Sequence, residues 1–378
     1  MAPLRLYSKS GVQTDWTCPR KRYWNYEYGG KGVVTGNTFL ELYLGQCLHD
    51  GLAAIATAYQ HIERGDSTDI FDIDQIADTA KQQMINSLMD NSAGLQEELD
   101  FANEQAALVE GLLRGFYKQV WPRLMKQYPK IVLLEKEMIY KHNGFGFMAK
   151  PDIVVADEEG NLWYVEYKST SSKKEGWTNS WNTAIQLHST IRAIEATIGE
   201  KVTGVIVQGL YKGFESYGKQ SSPFCYAYRR NGNPPFSETE TAYEWKAGFK
   251  RYPTWELEGG VKAWVESMPD HVLSAQFPQA PPIFVKEDLI NDFFNQRAVR
   301  ETEIQMALGM MEKASEEDKE LILNGSFPQR FDQCHPFFGK PCGYLKLCHG
   351  PKGVDPLTAG YEWRDEEHLA KFRELANG

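Results

Sequence analysis

Long apolar runs are missing from this 378-residue chain: no segment approaches the ~18 unbroken apolar residues that a bilayer-spanning helix requires. The opening stretch, Met1 to Trp16, lacks the apolar core of a secretory leader, so the expected location is the cytoplasm, of a prokaryote or of a host cell. Positive charge is in short supply: 41 Lys and Arg face 51 Asp and Glu, a net charge of −10 at pH 7. An acidic total argues against nonspecific coating of nucleic acid or membrane, though it leaves room for a locally basic groove. It also suits a protein that commits carboxylates to metal ions. Cysteine is scarce, with six residues. In a reducing cytoplasm these read as ligands or core residues rather than disulfides. Internal repeats, low-complexity segments and long linkers are also lacking, which excludes solenoids and tethered arrays.

What is present is ordinary for a globular chain: 42% hydrophobic and 24% charged residues, at a length that suits two or three structural units. Aromatics reach 13%, many beside Lys or Arg, as in Arg22-Tyr23-Trp24 and Tyr228-Arg229-Arg230. Such pairs serve packing, and they also suit stacking on bases. Leu40, Leu44, Leu48, Leu52 and Ile55 recur at helical spacing, predicting a helix from Thr38 to Tyr59. Helices follow over Asp69–Met89 and Leu95–Tyr128, the latter kinked or ended by Pro122. Three strands are then expected at 131–140, 145–157 and 162–170, punctuated by Asn143-Gly144 and Glu159-Gly160-Asn161. A helix from Trp177 to Ile198 and a strand at 201–211 complete an α/β order of helix, three strands, helix, strand. The units expected are 1–37, 38–211 with a helical insertion at about 69–128, 212–326, and 327–378.

Glu166 and Lys168 lie two apart on a strand and so share a face. A hairpin centred near Glu159 places Asp152 opposite Glu166, and the three charges converge on one face. Facing carboxylates repel unless a cation lies between them, and hard oxygen ligands suit Mg²⁺ or Mn²⁺. An exposed ion-pair ladder would use the same three residues, but the apolar runs Asp152–Val155 and Trp163–Tyr167 speak against exposure. Glu137, on the preceding strand, reads first as a solvated charge, and otherwise as support for a second metal or for a network around Lys168. Gly45 and His49 sit at i and i+4 of the first long helix, on one face. The glycine would allow close approach of another backbone, and the histidine would offer a nitrogen ligand. Gln186 would reach a phosphate or base from the helix after the hairpin.

In the tail, Cys334, Cys342 and Cys348 are spaced C-x7-C-x5-C. Three clustered cysteines need a fourth thiolate for a tetrahedral zinc site or a cubane iron–sulfur cluster, and Cys18 is the natural candidate. His335 and His349 keep a zinc site open. Cys47 and Cys225 stand in apolar contexts and read as core thiols.

Asp152, then Glu166-Tyr167-Lys168 on the next strand, in a helix, three strands, helix, strand core, resembles the PD-(D/E)XK nuclease superfamily with its restriction-endonuclease-like fold. The Gly45…His49 helix and Gln186 resemble its RecB-like branch, although Thr190 stands where that branch often has tyrosine. The resemblance implies a Mg²⁺- or Mn²⁺-dependent deoxyribonuclease. His49, Asp152, Glu166 and the Tyr167 carbonyl would bind the metal, and Lys168 would be the catalytic lysine. An N-terminal cysteine paired with a C-terminal trio is similar to the iron–sulfur nucleases of CRISPR spacer acquisition and to AddB-type nuclease domains. That implies a structural 4Fe–4S staple on Cys18, Cys334, Cys342 and Cys348, though the first gap here is x7 where x2 is common. On this reading Arg20, Lys21 and Arg22, with Lys173 and Lys174, would guide DNA past the site, single-stranded ends being favoured. Protein partners in recombination or CRISPR adaptation would be compatible. No Gly-x4-Gly-Lys-Ser/Thr phosphate loop is present, so the chain is not itself a helicase–nuclease. The competing class is a noncatalytic DNA-binding or scaffold protein with a structural metal.

Overall fold

A computed structural model describes residues 5–374 apart from 36–39, 66–71, 91–93, 172–176, 179–180, 182–184, 214–221, 230–249, 336–340, 352 and 366–373. Strand β1 (Arg5–Ser8) runs directly into helix α1 (Lys9–Thr17). The Ser8 side chain caps α1 by accepting from Gly11 N at 3.0 Å, satisfying a donor that the first turn leaves unpaired. Cys18 ends α1, and Pro19 opens the single-turn α2 (Pro19–Arg22), where its missing N–H removes no helical bond. After β2 (Val33–Thr35) come α3 (Leu40–Glu63), α4 (Ile73–Met89) and α5 (Gln96–Gln119). The helix expected through residue 128 breaks at Val120 and restarts as α6 (Trp121–Gln127), with Pro122 in its first turn.

Five strands follow rather than three: β3 (Lys130–Leu134), β4 (Met138–His142), β5 (Phe145–Ala149), β6 (Ile153–Ala156) and β7 (Leu162–Thr170). The run 131–140 breaks at Glu135, whose φ is +46°. The run 145–157 breaks at Lys150-Pro151, where proline cannot donate to a ladder. The two interruptions send the β4–β5 hairpin out of one sheet and into another. Next come α7 (Ile185–Ile198), β8 (Val202–Tyr211), β9 (Tyr226–Arg229), β10 (Lys250–Pro253), α8 (Gly260–Ser267), α9 (Asp270–Ser274) and β11 (Ile283–Phe284). The chain then forms α10 (Glu287–Met311), α11 (Glu316–Ser326), α12 (Leu345–His349) and β12 (Tyr361–Trp363).

The main sheet has the order β11-β8-β7-β6-β3. β6 and β7 are antiparallel, and β7 and β8 are parallel, with α7 in the crossover between them. Strand alternation sends Ile153, Val155, Val165 and Ile206 toward Leu44, Leu48 and Phe116 of the helical layer. Val154, Tyr164, Val205 and Val207 face the opposite way, onto Ile191 and Ile194 of α7 and Phe293 and Phe294 of α10. Fully burying each such aliphatic or aromatic side chain contributes about 1.5–3 kcal/mol. The second sheet, β1-β5-β4, closes this side, with β1 parallel to β5. A third apolar cluster joins distant parts of the chain: Tyr23, Trp24 and Val33 pack with Ile304, Phe327, Tyr344 and Tyr361, and β2 pairs with β12. Among the described residues no helix is long and apolar enough to cross a membrane.

Candidate active site

Ile153 pairs with Val165 and Val154 with Tyr164, so the hairpin carries Asp152 to the level of Glu166 without a bulge. Asp152 Oδ2 accepts from Tyr167 N at 2.6 Å, and Asp152 Oδ1 lies 3.0 Å from His49 Nδ1 on α3. Burial works against a charged His49, but the bond to Asp152 outweighs it and the imidazole is raised above its ordinary value. The N–H and C=O of a strand residue point to the same side, so the Tyr167 carbonyl opens on the Asp152 side. Strand β6 begins only at Ile153, opposite Val165, so its ladder stops short of Tyr167.

Glu135 stands at the break between β3 and β4, and its N–H donates to Asp152 O at 3.2 Å. Its carboxyl is pushed up by burial, against a 2.5 Å ion pair with Lys150. Ligand atoms of His49, Glu135 and Asp152 all lie within 4.8 Å of one another. One imidazole nitrogen with carboxylate oxygens is a donor set that fits a hard divalent cation.

Glu166 is 2% exposed and holds the other half of the site. Its Oε1 pairs with Lys168 Nζ at 2.5 Å and with Lys9 Nζ at 2.6 Å. Burial pushes this carboxyl up, but Lys9 and Lys168 together bring it down to about 2. The sequence reading missed Lys9 and Glu135. Lys9 is 157 residues from its partner, and Glu135 is brought in by a backbone turn that its residue type does not announce. A weak signal existed for Lys9, since lysine in the first turn of a helix opposes the helix dipole.

Two expectations need correction. Arg20 and Arg22 do not offer a basic edge to a strand, because both are buried. Arg20 Nε donates to Phe327 O at 2.8 Å and its Nη2 to Asn324 Oδ1 at 2.7 Å. Arg22 Nε donates to Glu27 Oε1 at 2.8 Å, and its guanidinium lies 5.3 Å from the Tyr26 ring centre. Lys21 between them is half-buried and keeps some exposure. At Gly45, one turn from His49 on α3, no backbone approaches closely among the described residues, where a Cβ meets nothing within 4 Å. The glycines that permit close packing are elsewhere, as at Gly111, where a Cβ would meet Phe224 at 2.5 Å. Gln186 lies on α7, but its side chain falls outside the described residues, as do Lys173 and Lys174.

Cys18, Cys334, Cys342 and Cys348 are all free thiols, the first two buried and the others half-buried. They are neighbours in space. Burial pushes the Cys348 thiol up to about 11, with Cys342 and Cys18 pushing the same way. Cys334 is raised by burial and then by Cys342 and Cys18. Cys342 N donates to Cys334 O at 3.0 Å. Cys47 and Cys225 are buried in the helical core, away from this group.

The family model of the PD-(D/E)XK nuclease superfamily matches residues 7–274 of the chain. No curated protein matches it significantly. Among solved structures, the chain is similar to a Eubacterium rectale protein described, provisionally, as an exonuclease. The identity is 12%, the match covers 91% of this chain and 93% of that one, and the TM-score is 0.36.

Proposed function

Since the chain belongs to the PD-(D/E)XK nuclease superfamily, we propose that it is a Mg²⁺- or Mn²⁺-dependent deoxyribonuclease acting on DNA ends, single-stranded ones in preference. The observation that carries this reading is the divided site. On one side His49, Glu135 and Asp152 gather donor atoms for a divalent ion. On the other, Glu166 and Lys168 meet at 2.5 Å. His49, Asp152, Glu166 and the Tyr167 carbonyl are the proposed metal ligands, with Glu135 added to them. The bound ion would polarise the scissile phosphate and lower the pKa of the attacking water. Lys168 orients that water and offsets charge developing on the phosphate. His49 takes its orientation from Asp152, and Asp152 in turn is fixed by Tyr167 N. Around Gly45, where a Cβ meets nothing within 4 Å among the described residues, a strand would have room to approach, with Lys21 and Gln186 as candidate contacts.

Cys18, Cys334, Cys342 and Cys348 are proposed as ligands of a 4Fe–4S staple. Neighbouring thiolates repel, and a cationic cluster relieves that repulsion. A tetrahedral zinc site with Zn–S near 2.3 Å needs sulfurs about 3.8 Å apart. A cubane holds its four cysteine sulfurs farther apart, and zinc is the alternative to it.

End-labelled single- and double-stranded DNA, with free or blocked ends, tests the activity under Mg²⁺, Mn²⁺ or EDTA. Cleavage is expected with either metal and not with EDTA. Asp152→Ala and Lys168→Ala should each slow it by about 100- to 1,000-fold. Undiminished cleavage by both variants would falsify the assignment, and absence of metal-dependent cleavage on every form of DNA would favour a noncatalytic scaffold. Brown protein absorbing toward the blue–violet edge is the outcome expected for the cluster. Colourless protein with stoichiometric zinc, purified without air, would replace it.

A further inference from the structure

The two lysines on Glu166 take the same oxygen. Lys9 Nζ and Lys168 Nζ both contact Oε1, and no ion pair to Oε2 is found among the described residues. Lys168 has two demands on it. It holds a carboxylate whose side chain is only 3% exposed, and on the nuclease reading it must also orient a water. A buried carboxylate left without its partner is strongly disfavoured. Lys168 therefore cannot turn to the water unless another cation, Lys9 or the metal ion, stays on Glu166, and Lys9 is the one that already holds Oε1.

We infer that Lys9 is a positioning residue of this centre: it keeps Oε1 occupied, leaves Oε2 facing the metal side, and releases Lys168 for the water. The inference rests on the nuclease reading above. The placement of Lys9 supports it independently. Lys9 is the first residue of α1, which carries no acidic residue in its first turn and no basic one in its last. A lysine at that end opposes the helix dipole, and local violations of this kind concentrate where function requires them. The helix is nonetheless fixed at several points. β1 lies in register on β5, with Ser8 beside Met148. Asp15, two turns on, is buried against Arg297 Nη1 at 2.8 Å and Arg300 Nη2 at 3.1 Å. Cys18 ends the helix among the other cysteines of the proposed staple. One short rigid element thus runs from the cysteine cluster to the lysine on Glu166.

The test compares wild type, Lys9→Met and Lys9→Arg by steady-state and single-turnover cleavage of an end-labelled single strand, and by crystal structures of the metal-free proteins. Lys9→Met should lower kcat about tenfold or more with KM within about twofold, the signature of a group that acts on the reacting geometry rather than on substrate binding. Lys9→Arg should recover most of the rate. In the Lys9→Met crystal the Glu166 carboxylate should be displaced by about 1 Å or more, a shift large enough to matter to catalysis. A wild-type kcat in Lys9→Met, a rate that Lys9→Arg leaves unrecovered, or a Glu166 carboxylate that stays in place overturns the assignment. Should wild type itself cleave no DNA, the nuclease reading fails, and the Glu166 position in the two crystals still decides what Lys9 does.

Discussion

At Glu135 the backbone adopts φ +46°, a region that few residues other than glycine enter. Strained backbone persists where its surroundings hold it, and such positions cluster at functional sites. Here the strained turn brings a third donor to His49 and Asp152. Glu135→Gln should keep the fold and weaken Mn²⁺ binding by about tenfold or more, read by calorimetric titration or the free-ion electron paramagnetic resonance signal. Glu166 makes a separate prediction in acid. Burial raises its carboxyl, and Lys9 and Lys168 more than reverse this, bringing it from an ordinary 4.5 to about 2. A lowered folded-state value means that its stabilisation is fully present above about 4.5 and is lost as pH falls from there toward 2. The urea midpoint of the metal-free protein should hold down to about pH 5 and then drop. The drop through this window should be shallower in Lys9→Met. An equal drop in the two would assign the acid sensitivity to other carboxylates.

Among the elements, α10 carries a deeply buried charge pair. Arg297 and Glu301 are both fully buried, and Arg297 bridges Glu301 and the Asp15 carboxylate of α1. Removing one member of a buried ionic group leaves its partners uncompensated, at a cost of about 3–5 kcal/mol. Arg297→Met should lower the unfolding free energy by that amount in urea titrations, and activity should fall with it as α1 loses its anchor. How far such elements could be read in advance differs from strand to strand. The β6–β7 hairpin was legible because a Glu-Gly-Asn turn fixes its register, and Ile153 pairs with Val165 as that register requires. The division of 131–140 and 145–157 between two sheets was not legible. Each run is largely apolar on both sides of a short polar interruption, Glu135-Lys136-Glu137 in one and Lys150-Pro151-Asp152 in the other, and it is the backbone at Glu135 and Pro151 that turns the interruption into a change of sheet. Arg20 and Arg22 misled for a related reason: their type says surface, while Phe327 and Asn324, which hold Arg20, and Glu301, which with nearby Glu27 holds Arg22, lie hundreds of residues away.

Over the whole molecule, the segments around Cys18 and Cys342 are joined in several ways at once. The β2–β12 ladder, the apolar cluster of Tyr23, Phe327 and Tyr344, the Arg20 hydrogen bonds and a bond from Arg364 Nη1 to Asn25 Oδ1 at 2.6 Å all cross the same seam. Cys342→Ser, which removes a proposed cluster ligand and leaves the nuclease residues intact, should lower the thermal midpoint and bleach the blue–violet absorbance. An unchanged midpoint would separate the cysteines from the stability of the fold. The same seam sets a schedule on the ribosome. Lys9 and Cys18 are synthesised early, yet Glu166 follows Lys9 after 157 residues and Cys348 comes 330 residues after Cys18. Contacts of such long range form slowly and late. A ribosome-bound chain stopped short of residue 327 should therefore be less resistant to protease at α1 than the released protein. A nuclease centre assembled in that order would stay silent throughout its own synthesis.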